Sequence, residues 1–286
     1  MMYRQTEWLD KLLINGVDAF AEYGLFVLDG EYKNVVQVPP FKKLDTTEWA
    51  EHDGIEVDLS APVLAGRTFQ MEFGITRVDN VNGLIYDLTR SPYNTLDFRE
   101  LGRRYSLRYV QNDAVSRNLR IGKIKLTFAE DYHAIARTNP SEYLDVEYQG
   151  YRLDGIDFAK FGTWILEGTD ESILKLPKVR PALTQSNRSS AGDGYDRGSK
   201  PKFKSKDITL KCLIHAKSMT DFWARYNALF TILVKPASRS LQVVQHGKTF
   251  SCYYKSSAVS KFKITSKGGV WCEFSVTLCC TDKGLI

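Results

Sequence analysis

Four histidines, His52, His133, His215 and His246, and five cysteines, Cys212, Cys252, Cys272, Cys279 and Cys280, are the side chains of this sequence best suited to hold a metal or act as nucleophiles. Their spacing supports neither chemistry. Closed zinc sites show paired ligands at Cys-x-x-Cys distance, and the histidines share no short spacing with each other or with the cysteines. Cys272 and Cys279-Cys280 lie on a run of alternating apolar residues, where small buried side chains are the plain reading. Glu130-Asp131 is a carboxylate pair, but adjacent residues at a strand end point apart, so solvated charges are expected there. The sequence contains no Gly-x-Ser-x-Gly elbow, no Gly-rich phosphate loop before a lysine and no His-Glu-x-x-His. The expectation is a non-enzymatic protein with no catalytic residue, no metal and no cofactor.

One stretch does concentrate charge. "SNRSSAGDGYDRGSKPKFKSK", residues 186–206, carries Arg188, Arg197, Lys200, Lys202, Lys204 and Lys206 against two aspartates. Its apolar content is too low to fold alone, so an exposed, mobile loop is expected. Two uses are open: contacts to nucleic-acid phosphates, with Tyr195 or Phe203 available to stack, or an arm docking on an acidic protein neighbour. The charge balance bears on both. Residues 1–147 hold 17 basic and 23 acidic residues, a net of −6, whereas 148–286 hold 22 and 11, a net of +11. Such asymmetry is a clue to partners rather than to fold.

The elements around these residues are written twice. "YGLFVLDGEYKNVVQVPP" (23–40) and "FGTWILEGTDESILKLPK" (161–178) share an aromatic-Gly start, an apolar-acid-Gly corner and an apolar-polar-apolar-Pro close. Phe26 matches Trp164, Gly30 matches Gly168 and Pro39 matches Pro177, each 138 residues on. "INGVDAFAEYG" (14–24) faces "LDGIDFAKFG" (153–162), and each half then holds a long irregular region with an Asp-Gly pair, Asp53-Gly54 and Asp193-Gly194. "RTFQMEFGI" (67–75) faces "KDITLKCLI" (206–214), placing Cys212 opposite Phe73.

A helical spacing follows in each half. Val81, Leu84, Ile85 and Leu88 are opened by Asp79 or Asn80, and Phe222, Tyr226, Leu229, Phe230 and Leu233 by a Ser218–Asp221 capping box. "LDFRELGRRYSLRYV" (96–110) faces "LQVVQHGKTFSCYYK" (241–255), with Gly102 and Gly247 as hairpin turns. The last strands are "IGKIKLTFAEDY" (121–132) and "VWCEFSVTLCCTD" (270–282). Each half therefore reads β, β, long loop, β, α, β, β, β. The fold expected is mainly β with one helix per repeat: two tandem β-barrel or sandwich domains, 1–140 and 141–286, meeting near 134–150.

The 286 residues allow one to three domains. No apolar run reaches the length a membrane helix needs, and the start, "MMYRQTEWLDKLL", places Glu7 and Asp10 where a signal peptide would be apolar. The odd cysteine count without framework spacing points to a reducing cytoplasm.

Taken in order, these strings resemble the N-terminal ring domain of phage distal tail proteins. The resemblance rests on the Asn-Gly or Asp-Gly on the first strand, the apolar-acid-Gly corner, the Pro after the second strand, the Asp-Gly in the long loop, "LDF…RRYSLRY" and "GKIKLTFAEDY". It covers nearly the whole chain, best in the first half. The second half lacks the closing Tyr and carries the basic insertion. The resemblance implies a structural protein of a long-tailed phage virion, forming a trimeric pseudo-hexameric or hexameric ring at the tail tip. Its implied partners are further copies of itself, tail tube, hub and tape-measure proteins, with nucleic acid at most passing through the lumen and no membrane. Assembly in the host cytoplasm would precede residence at the tail tip. A duplicated baseplate hub or tail-tube-type protein is the alternative within this class. A nucleic-acid-binding module acting through the basic half is the alternative outside it.

Overall fold

A computed structural model describes residues 7–118, 121–181, 184–186, 188–189, 191–195 and 200–282. The chain is mainly β. In the first half, β1 (Leu12–Ile14), β2 (Val17–Asp18), α1 (Ala19–Tyr23), β3 (Leu25–Val27) and α2 (Tyr32–Val36) precede a small hairpin of β4 (Thr46–Thr47) and β5 (Glu56–Val57). Then come β6 (Arg67–Ile75), α3 (Val81–Thr89), β7 (Asn94–Phe98), β8 (Arg103–Asn112), β9 (Ser116–Asn118) and β10 (Ile121–Glu130). The second half runs through β11 (Tyr151–Leu153), β12 (Ile156–Asp157), β13 (Trp164–Ile165) and α4 (Thr169–Leu174) to a hairpin of β14 (Thr184–Ser186) and β15 (Asp193–Tyr195). It continues with β16 (Asp207–Ala216), α5 (Met219–Leu233), β17 (Arg239–Val243), β18 (Lys248–Ile264) and β19 (Val270–Cys280).

The first sheet is ordered β2-β1-β7-β8-β10-β6-β3, with β9 added on β10, and the second β12-β11-β17-β18-β19-β16-β13. The two orders correspond strand by strand. So do the local devices. Asn15-Gly16 (φ 53° and 85°) and Asp154-Gly155 (φ 50° and 80°) turn the first hairpin of each sheet, the paired left-handed geometry that Asn-Gly and Asp-Gly favour. Asp18 then caps α1, accepting from the Phe20 and Ala21 amides at 2.8 and 2.9 Å. Asp157 caps the 3-10 turn Phe158–Phe161 through the Ala159 amide at 3.0 Å.

The helix periodicity places α3 and α5 correctly, with Leu84 and Leu88 of α3, and Leu229 and Leu233 of α5, buried in the core. The caps differ in detail. Ser218 Oγ accepts from the Asp221 amide as expected, but Asp221 returns its bond to the Lys217 amide. Asn80 does not cap α3; its side chain donates to the Glu22 carbonyl. To these helices the structure adds α1, α2 and α4, each a turn or so long. Five or six residues hold too few positions to register a 3.6-residue period. The repeated apolar-polar-apolar-Pro string thus starts inside a short helix and leaves it extended: Gln37 (φ −57°, ψ 135°) and Lys175 (φ −56°, ψ 127°) make the same exit.

The two long irregular regions are arms. Isolated bridges Phe41↔Leu64 and Val179↔Phe203 close their bases, and β4–β5 and β14–β15 pair near their tips. Thr46 pairs with Val57 as Thr184 pairs with Tyr195, which makes Gly192 (φ 83°), not Gly194, the counterpart of Gly54 (φ 77°). A single apolar core runs through both halves. Residues 131–150 contain neither helix nor strand; Asp131 and His133 stay on the first half, against Arg108 and Glu130, and from Thr138 on the segment meets the second half. There Asp145 receives Arg225 at 3.0 Å and the Arg225 guanidinium stands 4.2 Å over the Tyr143 ring. No helix among the described residues is long and apolar enough to cross a membrane.

Candidate assembly interface

The repeated string builds the contact between the two halves. As the chain leaves α2, the Val38 carbonyl accepts from Tyr254 Oη at 3.1 Å and Ser257 Oγ at 2.9 Å, both on β18. Tyr254 Oη also reaches the Pro39 carbonyl at 3.1 Å, and Tyr226 Oη of α5 reaches the Val36 carbonyl at 3.3 Å. Phe41 meets the Tyr254 ring edge-on at 5.6 Å, and Tyr32 meets Phe262 at 6.3 Å. Burial raises the Tyr254 and Tyr226 hydroxyls well above the ordinary tyrosine range, so they remain donors at any physiological pH. At the far side Trp223 Nε1 donates to the Leu101 carbonyl at 2.7 Å, beneath the Arg103 guanidinium at 4.0 Å. Tyr and Trp suit such seams because they combine apolar area with one polar tip.

The first arm completes the contact. Its tip enters the second half through Gly54 and Ile55, whose amides donate to the Phe203 and Thr281 carbonyls at 2.9 and 3.1 Å. Gly54 packs so closely on Thr281 and Asp282 that a side chain there has no room. Leu59 joins Tyr253 and Cys279 in a small satellite core. Arg180 answers the acidic arm: it pairs with Glu48 at 3.0 Å and donates to the His52 and Gly54 carbonyls at 3.2 and 2.6 Å.

The basic stretch is therefore not uniformly free. Arg188 and Lys200 are exposed; Arg197 lies outside the described residues. Residues 202–204 are tied down by backbone bonds from the Arg180 amide to the Lys202 carbonyl (2.7 Å) and from the Lys204 amide to the Lys178 carbonyl (2.8 Å). The Phe203 amide adds a bond to Asp53 at 2.8 Å. Lys206 is buried, its ammonium donating to the Ile173 carbonyl at the end of α4, which removes it from the phosphate-binding or docking set. Its counterpart explains the position. Arg67, at the same place in the first half, donates to the carbonyls of Asn34, Val35 and Gln37 as α2 ends. Each half uses one buried cation to satisfy the last carbonyls of its short helix, where a positive charge is favoured.

Arg67 also pairs with Glu130 at 2.6 Å, and His133 Nδ1 lies 3.0 Å from the same carboxylate. Burial pushes the Glu130 carboxyl up, but the hydrogen bonds and charges of His133 and Arg67 outweigh it and hold the group below its usual range. In the second half Cys280 takes the place of Glu130, as the registers Phe69↔Phe128 and Ile208↔Leu278 require. All five cysteines are buried thiols. Burial raises each of them, Cys280 to about 12, so none has thiolate character at neutral pH. Among the described residues no group of three or more His, Cys, Asp or Glu side chains could hold a metal ion.

No family model matches this chain, and no curated protein matches it. Among solved structures, the crystal structure of the SPP1 Dit (gp 19.1) protein, presented as a paradigm of the hub adsorption apparatus in Gram-positive infecting phages, aligns over 94% of this chain and 97% of its own length. The identity is 9% and the TM-score 0.33. A likeness of that size does not fix a fold.

Proposed function

We propose that this chain is a structural subunit of a long-tailed phage or prophage virion, built from two tandem copies of one tail-ring unit, 1–140 and 141–286. In this reading it closes a ring at the distal tail tip, between tail tube and baseplate or hub. The supporting observation is the coincidence of the two strand orders in a chain whose motifs resemble the distal tail family in both halves. The chain acts by shape and contact, with no catalytic role. Its net charges of −6 and +11 favour rings in which first and second halves alternate. Three chains then supply six ring positions. The subunits assemble in the host cytoplasm and come to rest at the tail tip, against tube, hub and tape-measure proteins.

Native mass measurement and negative-stain imaging of the full chain test this directly. A ring of three chains is the expected particle, weakening between low and high ionic strength because its contacts are partly between exposed charges. Six chains per ring would remove the trimer. A protein that stays monomeric at high concentration and low salt would remove the ring.

A further inference from the structure

The contact that joins the two halves is made once inside the chain, and its components occur twice. In the first half Val36, Val38 and Phe41 carry it; Val36 and Val38 are each only 2% exposed, and their carbonyls accept from Tyr226, Tyr254 and Ser257 of the second half. The 138-residue spacing that matches Gly30 to Gly168 and Pro39 to Pro177 places Leu174, Leu176 and Val179 at the same positions in the second half. These are 51%, 72% and 55% exposed. The backbone is already in the docked shape, since Lys175 leaves α4 as Gln37 leaves α2 and the arm-base bridge Val179↔Phe203 repeats Phe41↔Leu64. Three large apolar side chains on one preformed edge are unusual for a surface without a partner.

The receiving face is duplicated too. On the second half it consists of Tyr254 and Ser257 on β18 and Tyr226 on α5, with Phe230 of α5 packed behind the Tyr254 ring. The pairings Asn94↔Leu107 and Arg239↔Cys252 set the register between β8 and β18, so Tyr109 stands for Tyr254 and Asn112 for Ser257. Leu84 and Leu88 match Leu229 and Leu233 on the inner helix face, so Val81 and Ile85 stand for Tyr226 and Phe230. Asn112 is exposed, and Tyr109, Val81 and Ile85 are half-buried, resting on the core with part of each side chain open to solvent. Tyr109 Oη, lacking a carbonyl like that of Val38, donates instead to its neighbour Asn112.

We infer that the second half's edge Leu174–Leu176–Val179 docks on Tyr109, Asn112, Val81 and Ile85 of the first half of a second copy. The Leu176 carbonyl then accepts from Tyr109 as Val38 accepts from Tyr254. One donor edge and one receiving face are consumed within the chain, leaving one of each, on opposite halves. That is the condition for a heterologous, head-to-tail contact. Joining the basic half to an acidic half, it also has the favourable sign of charge. The assignment rests on the reading of the chain as a ring subunit only for closure.

The test places a photoreactive benzoylphenylalanine at position 176 of the full chain and crosslinks an equal mixture of isotopically light and heavy protein. Light-to-heavy crosslinks from 176 to residues 81–85 and 109–112 are expected. Oligomers that form without them, or with crosslinks mapping elsewhere, overturn this contact while leaving a ring intact. The predicted crosslinks in open chains uphold the contact and overturn the ring. A parallel Leu174→Asp/Leu176→Asp variant, altered only at exposed positions, is expected to keep the wild-type circular dichroism and unfolding midpoint. Its dissociation constant for self-association rises at least about 10-fold, as for central interface anchors; an unchanged constant overturns the proposal.

Discussion

Asp154 and Arg239 form a charged pair, Oδ2 to Nη1 at 2.6 Å, at the place where Asn15 and Asn94 of the first half form a neutral amide pair at 2.8 Å. Around both, the turn residue accepts from the facing strand: Asn15 Oδ1 from Thr95 and Asp154 Oδ1 from Ser240, each at 2.8 Å. One hairpin-to-strand lock is thus kept with two chemistries. Asp154→Asn leaves the buried Arg239 without its counter-charge and is expected to cost about 1–3 kcal/mol. Adding Arg239→Asn rebuilds the amide pair and recovers part of that loss. Urea unfolding of the two variants measures it, and strictly additive losses would show that the pairs are not equivalent.

Tyr254 supplies hydrogen bonds from one half to the other. Tyr254→Phe keeps the ring against Phe41 and Phe230 but leaves the Pro39 carbonyl without its donor, at an expected cost of about 1–3 kcal/mol. Because one core serves both halves, the loss should move a single unfolding transition. Two resolved transitions in calorimetry, with only one displaced, would contradict the shared core.

Glu130 links stability to pH. Its folded carboxyl lies below the usual range, so its contribution is fully present above the unfolded value of about 4.3 and fades as pH falls through the folded value. Glu130→Gln removes that dependence. The stability difference between wild type and variant should be constant near neutrality and shrink below about pH 4. A difference that grows on acidification has the wrong sign for this linkage.

Lys206 and Lys200, both in the basic stretch, should part company under mutation. Lys206→Met removes the donor on the Ile173 carbonyl and is expected to cost about 1–3 kcal/mol. Lys200→Ala, at an exposed position, stays within about 0.5 kcal/mol of wild type. Thermal unfolding distinguishes them, and equal midpoints would mean that the buried ammonium does nothing for α4.

Strand identity and the matched strings were legible because they depend on alternation and on turn residues, which are local. Gly102 and Gly247 end the same 3-10 turn at φ 59°, where hairpin turns are expected, whereas Asn15-Gly16 and Asp154-Gly155, expected on a strand, turn the first hairpin of each sheet. What the halves pack against was not legible. A pattern such as Val36-x-Val38 marks a buried face without naming the element that buries it. The short helices α2 and α4 carried no periodicity, so the helix ends that need Arg67 and Lys206 were invisible, and Lys206 read as one more solvated charge. Its match with Arg67 was the signal available. Similarly, a pair of Thr46–Val57 type inside an irregular acidic region has too few residues to announce an arm.

The cysteines described above make the molecule self-reporting. All five belong to the second half, on β16, β18 and β19, and none is exposed to solvent. A thiol reagent therefore meets nothing to react with until the first arm lifts or that sheet opens, and the first half stays silent throughout. Labelling rates at Cys279, beside the docked Leu59, clock the release of the first arm. Those at Cys212 and Cys272 clock the opening of the sheet itself. A change in the first rate alone, on mixing copies or raising salt, locates a motion in the arm without any engineered probe.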